Sequence, residues 1–192
     1  MATPVGHGLL GLLVHSLSAR DRHELTSPAR ALGLAAAAVA ADLDLALRWV
    51  DGRNHHQAEM HSLGAALIVT GAVWCVARLR SSPCARRSAA LAGLAWFSHP
   101  ALDFLSGDTN PPFGPMILWP ASRTHLISPV TVFLDTRRAL SWDSLHHNSL
   151  ALLLELAILV PVVAAAGIWR WHRLRGKTRA LLRQAGRGDS LA

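Results

Sequence analysis

Four histidines and three aspartates in this sequence are of the types that hold divalent ions and move protons: His7, Asp42, Asp44, His56, His61, His99 and Asp103. The most compact pair lies in Ser98-His99-Pro100-Ala101-Leu102-Asp103. Four positions apart on a helix, His99 and Asp103 project the same way from neighbouring turns. An imidazole and a carboxylate placed like this suit a borderline divalent ion. The same spacing also serves a hydrogen bond that closes a helix end. At the end of an apolar run, the pair is costly unless something binds there.

The other candidates are grouped similarly. In Asp42-Leu43-Asp44 the side chains diverge by about 200° on a regular helix, so both reach one ion only where the helix frays. Otherwise one is a ligand and the other an exposed acid. In His55-His56-Gln57-Ala58-Glu59-Met60-His61-Ser62, the spacing of five between His56 and His61 suits a loop entering a helix. Ser62 or a backbone carbonyl would then orient the second ring nitrogen of a ligand. The plain alternative is a His-rich loop resting in lipid headgroups, where His55 is left. His7 stands between Gly6 and Gly8, which permits close approach, although a lone His in that setting also reads as packing.

The elements that must position these groups are apolar. Of 192 residues, 51% are hydrophobic, 16% are charged and none is Tyr. Long uncharged runs cover 31–41, 62–77, 88–97 and 148–169, the last broken only by Glu155. This pattern predicts an all-α fold, a polytopic membrane bundle of about five helices over 5–19, 28–50, 61–79, 86–105 and 145–175. A long outer loop, 106–144, joins the fourth to the fifth. The domain reading is one membrane-embedded unit, 1–175, followed by a basic, disordered inner-face tail, 176–192. The first run has no Lys or Arg before it, so it reads as a retained segment rather than a signal peptide. Cys75 and Cys84 supply neither a zinc ribbon nor a disulfide framework.

Charge sets the orientation. The formal net charge is +7, but the basic residues flank the apolar runs instead of lining one face, which argues against nucleic acid. Arg20, Arg22, Arg30, Arg78, Arg80, Arg86, Arg87 and the basic residues from Arg170 to Arg187 fall on one side. Arg48, Arg53, Arg123, Arg137 and Arg138 fall on the other, among most of the acids. The positive-inside bias then predicts an N-out, C-in, multi-pass chain. Trp49, Trp119 and Trp142 fall at its outer interface, and Trp74, Trp169 and Trp171 at its inner one. All seven candidate residues fall at the outer end.

In this order and at these distances, Gly6-His7, Asp42-Leu43-Asp44, His56…His61-Ser62, Ser98-His99…Asp103 and Gly114…Leu118-Trp119-Pro120 resemble a known family. It is that of the YdjM-like bacterial inner-membrane proteins described as metal-dependent hydrolases, matched over about residues 5–120. More remotely, the chain is similar to the helical zinc-dependent phospholipase C class, which uses a His-x-x-x-Asp among its ligands. The resemblance implies a helical bundle in the bacterial inner membrane carrying a metal site. The departures are Ala41 where the family has Pro, and Gln57, Ala58 and Met60 where it has Arg, Gly and Thr. The ligand types survive, while the lost Arg changes how an anionic group would be held.

The resulting expectation is a membrane-bound hydrolase with one or two divalent ions, zinc first among them, held by His7, His56, His61, His99 and Asp103. Asp42 and Asp44 would serve as ligands or as the base that takes a proton from water. The substrate expected from location is an ester or phosphoester of a lipid or envelope precursor at the periplasmic face. The rival is a non-catalytic metal-binding or ion-handling membrane protein, whose polar path should continue across the bilayer. Only Glu155 and His15 lie deeper. Bis-His haem ligation would need two histidines facing each other within the span. His125, His146 and His147 remain as reserves for a second site.

Overall fold

Capping residues fix where the helices begin. Thr3, Ser27 and Ser62 each accept a hydrogen bond from a backbone N–H three residues on, and Pro4 and Pro28 occupy first helical positions, where their missing N–H is no loss. The resulting elements are α1 (Pro4–Ser18), α2 (Arg22–Leu25), α3 (Pro28–Val39), α4 (Asp44–Asp51), α5 (Leu63–Leu79), α6 (Ala85–Phe104) and α7 (Trp142–Gly188), with 3-10 turns at Ala40–Leu43 and Glu59–His61. This computed structural model describes the backbone of residues 1–188 and the side chains of residues 1–176. Over that range the protein is all-helical, with one isolated bridge, Ser106 to Phe133.

The expected helix over 28–50 is two helices. α3 tightens into the 3-10 turn Ala40–Leu43 and restarts as α4, which Gly52 ends at φ 72°. α7 continues past the expected end at 175, and the side chains of the expected tail lie outside the described residues.

α1 is the hub of the bundle, packing on α3, α6 and α7, while α5 packs on α6 and α3 on α6. Small residues permit this. The core at one contact is Leu34, Ala38 and Ala95, and at another Ala41, Ala65, Ala66 and Trp96. A Cβ on Gly11 of α1 would stand 2.5 Å from the Leu34 carbonyl oxygen and 2.6 Å from the Ala35 Cα. Only glycine lets α1 and α3 approach so closely.

Length decides which helices can cross a bilayer. Among the described residues, Trp142–Gly176 is the one stretch of sufficient length and apolarity. It presents Leu150, Leu153, Val160, Val162 and Ile168 outward. α5 is apolar but has 17 residues. α1 and α3, with 15 and 12 residues, rise about 22 and 18 Å, short of a hydrocarbon core of about 30 Å.

The long loop between α6 and α7 is tied down by backbone bonds to the segments it crosses. The amides of Leu63 and Gly64 donate to the carbonyls of Ile117 and Trp119, and Met116 N–H donates to the Gln57 carbonyl. The loop therefore closes over the end of the bundle where α1 and α5 begin and α6 stops.

Candidate metal centre

Each candidate side chain is delivered by a helix end or by a turn that the local sequence dictates. His7 lies one turn into α1, whose start is held by Thr3. The Thr3 N–H donates to Glu155 Oε1 at 2.7 Å, and its hydroxyl bonds Glu155 Oε2. Gly6 makes room for this: a Cβ there would lie 2.4 Å from Glu155 Oε2. Asp42 and Asp44 come from the 3-10 turn and the first residue of α4, His56 from the loop after Gly52, and His61 from the turn that ends at Ser62. His99 and Asp103 stand on successive turns of α6.

All seven meet in one buried cluster. His61 occupies its middle and is gripped from both sides: Nδ1 lies 3.0 Å from Asp44 Oδ2, and Nε2 lies 3.6 Å from Asp42 Oδ1. The two carboxylates thus flank one imidazole, and the 3-10 turn is the departure from regular helix that brings both to it. His56 Nδ1 donates to Asp44 Oδ1 at 3.0 Å. His7 stacks on His99 with ring centroids 3.5 Å apart, and its Nε2 lies 3.4 Å from Asp103 Oδ1. That oxygen also accepts the Ala2 N–H at 2.9 Å.

The donor atoms of two histidines and two aspartates have the spacing of a metal's ligands. His61 Nε2 and His99 Nε2 are 3.0 Å apart. His99 Nε2 is 3.4 Å from both Asp42 Oδ1 and Asp103 Oδ2, and His61 Nε2 is 3.7 Å from Asp103 Oδ2. A tetrahedral ion with bonds of about 2.0–2.1 Å needs ligands about 3.3–3.4 Å apart. His99 Nδ1–H donates to the Ala38 carbonyl at 2.7 Å, which fixes the tautomer and turns the Nε2 lone pair inward. Among the described residues, two groups able to hold an ion are present, Asp42, Asp44, His56 and His61 in one, and His7, His99 and Asp103 in the other.

The donor chemistry fits a cation. Both nitrogens of His7, Asp42 Oδ1 and Asp103 Oδ2 are buried without a hydrogen-bond partner. Leaving such atoms unsatisfied costs about 1–3 kcal/mol each, and more for charged groups. The buried carboxylates of Asp44 and Asp103, with the half-buried Asp42, also need positive charge beside them. Burial lowers the pKa of His61, but the flanking Asp42 and Asp44 outweigh it and raise it overall. Burial pushes the Asp42 carboxyl up, but His61 and His99 hold it well below the usual carboxylate range. Both shifts have one cause, the close approach of carboxylates and imidazoles to one another.

The remaining polar residues have other occupations. Ser62 caps α5, accepting from Ala65 N–H and donating to the Glu59 carbonyl, so it orients no ligand. The carbonyl that does so, on Ala38, carries no sequence signal. His55 is half-buried and pairs with Asp51 at 2.6 Å. His125 bonds the Gly114 carbonyl and His147 bonds Asp135, so neither joins the cluster, and exposed His146 lies outside it too. Glu155 had a signal, as the lone charge in an apolar run, but its partner Thr3 had none.

Searches among curated proteins and solved structures found no match. The model of the YdjM inner membrane protein family matches residues 1–174, a stretch that contains every residue of the cluster. On that match, the chain belongs to the YdjM inner membrane protein family.

Proposed function

We propose that this protein is a multi-pass, metal-dependent hydrolase of the inner membrane that cleaves an ester or phosphoester at the periplasmic rim of its bundle. The observation that carries this reading is the meeting of seven metal-binding side chains, drawn from four separate stretches of chain, with buried donor atoms that lack partners. A bound divalent ion, zinc being the best match to mixed imidazole and carboxylate donors, supplies Lewis acidity and lowers the pKa of water toward ~7.

The chain's own residues divide the remaining work. His61, His99, Asp42 and Asp103 hold the ion, and His7 and His56 stand ready to complete a second position. Asp42 has 12% of its side chain exposed, whereas those of His61, His99 and Asp103 have none. It is therefore placed to pass a proton between the centre and the mouth. Asp44 orients His56 and the far side of His61.

The membrane reading takes α1, α3, α5, α6 and the first part of α7 as spanning elements, the shorter ones aided by thinning of the bilayer. The cluster then faces outward, because the opposite end carries Arg20, Arg22, Arg30, Arg78, Arg80, Arg86 and Arg87. α4 exposes Trp49 and Val50 beside the cluster, which suits a helix lying in the interface.

The test is hydrolysis of a p-nitrophenyl phosphodiester and a p-nitrophenyl carboxylic ester by detergent-purified protein, before and after chelation and with zinc restored. Hydrolysis that disappears with the metal, returns with it and is lost in Asp42→Asn supports the reading. Metal-loaded protein that cleaves neither ester would reduce the cluster to a non-catalytic metal site.

A further inference from the structure

The end of the bundle opposite the His–Asp cluster sorts its arginines into two kinds. Several are engaged. Arg87 grips Glu24 at 2.5 and 2.6 Å, and Arg30 donates to the His15 carbonyl at 2.9 Å. Arg22 stacks over Trp171 at 3.8 Å, and Arg170 Nε donates to the Ala19 carbonyl at 2.6 Å. The side chains of Arg20, Arg78 and Arg86 have no ion pair or hydrogen bond among the described residues. These three line one cavity of about 510 Å³, formed where α5 ends and α6 begins, with Trp74 on its wall.

That basic cup continues into apolar grooves on two flanks. Ser82 is shared with a groove of about 440 Å³ along Ala72, Val73, Val76 and Ala77 of α5. Cys84 and Arg87 are shared with a groove of about 360 Å³ bordered by Gly33 and Leu34 of α3 and by Leu91 and Ala92 of α6, whose lining also includes Arg30 and the Glu24–Arg87 ion pair. A soluble anion would use the cup alone. The combination of unpaired guanidinium groups, an interfacial Trp and two adjoining apolar channels matches a molecule with a phosphate at one end and hydrocarbon at the other.

We infer that this cavity binds an anionic phospholipid of the inner leaflet, its phosphate among Arg20, Arg78 and Arg86 and its acyl chains along the two grooves. Arginine suits the cup because its planar fork meets phosphate oxygens in pairs. The inference rests on the membrane reading above but not on the metal chemistry at the far end.

The experiment is native mass spectrometry of the full chain in detergent, titrated with phosphatidylglycerol, with phosphatidylcholine of the same acyl chains, and with glycerol phosphate as a competing free headgroup. Metal content is read on the same samples, so failure of the metal site and failure of the lipid site register separately. Phosphatidylglycerol should bind in preference to phosphatidylcholine, and glycerol phosphate should not displace it. The double variant Arg78→Gln/Arg86→Gln should bind it about 25-fold more weakly, at roughly fivefold per arginine near anionic lipid. Arg123→Gln, at the outer end, should bind as the parent does. Equal binding of the two lipids, displacement by glycerol phosphate, or undiminished affinity in the double variant would overturn the proposal. The first two outcomes are read on the unaltered protein and need no variant to fold.

Discussion

Replacing Gly11 by Ala should loosen the cluster from a distance. Gly11 and His7 share one face of α1, a turn apart. A methyl group at Gly11 would stand 2.5, 2.6 and 2.8 Å from three backbone atoms of Leu34 and Ala35. Carbon contacts settle at about 3.5–4.0 Å, so α1 must retreat from α3 by roughly 1 Å. Overpacking of that kind costs about 1–3 kcal/mol, which in a chain of this size lowers Tm by roughly 2–10 °C. The retreat also carries His7 away from its 3.5 Å stack on His99, so metal affinity should fall along with Tm. The matched control is Gly33→Ala on α3, where a Cβ meets nothing within 4 Å. There the gain in helix propensity should leave Tm unchanged or slightly raised. Thermal unfolding in detergent and competition with a chelator read both effects. Equal Tm and equal metal affinity in the two variants would refute the packing argument.

Removing the His99 ligand by His99→Ala takes one donor of four. If about 10–16 kcal/mol of zinc binding is spread evenly over four donors, affinity should fall roughly 10²–10³-fold, whereas His125→Ala should bind metal as the parent does; chelator competition reads the difference. Acid should weaken the end of the bundle opposite the cluster, because Arg87 holds the Glu24 carboxyl at about 2 against its ordinary 4.5. The stabilisation is complete above about pH 4.5 and is lost as pH falls toward about 2, and Glu24→Gln should flatten that part of a pH–Tm curve. With Glu24 about a quarter exposed, solvent screening holds the effect to roughly 1–2 kcal/mol. Glu155→Leu leaves the Thr3 N–H and hydroxyl without their acceptor and should cost about 2–5 kcal/mol, while Glu155→Gln, keeping one acceptor, should cost less. Unfolding of the two variants side by side distinguishes a hydrogen-bonding role from a purely charged one.

The apolar runs of the chain located α1, α5 and α6 to within a few residues, and the starts of α3 and α7, because burial and lipid contact both require such runs. His99 and Asp103 were legible as a pair, since a spacing of four fixes direction on any helix. The break at Ala40–Leu43 was not legible. Ala and Leu favour continued helix, and the 3-10 turn comes where Ala41 packs against Ala65, Ala66 and Trp96, contacts distant in sequence. The same break explains why Asp42 and Asp44, read as diverging, both reach His61. The Ala38 carbonyl that orients His99 was invisible for a different reason: every residue has a carbonyl, and only the crossing of α3 over α6 selects this one. Membrane crossing shows the opposite limit. Hydropathy marked five runs, yet among the described residues only Trp142–Gly176 has both the length and the composition for a span.

The claim on which the account depends is that the His–Asp cluster holds metal. Elemental analysis of detergent-purified protein, prepared without chelator and passed through a desalting column, tests it most directly. The result expected is one or two divalent ions per chain. Protein that retains no divalent ion, even after incubation with zinc, would contradict it.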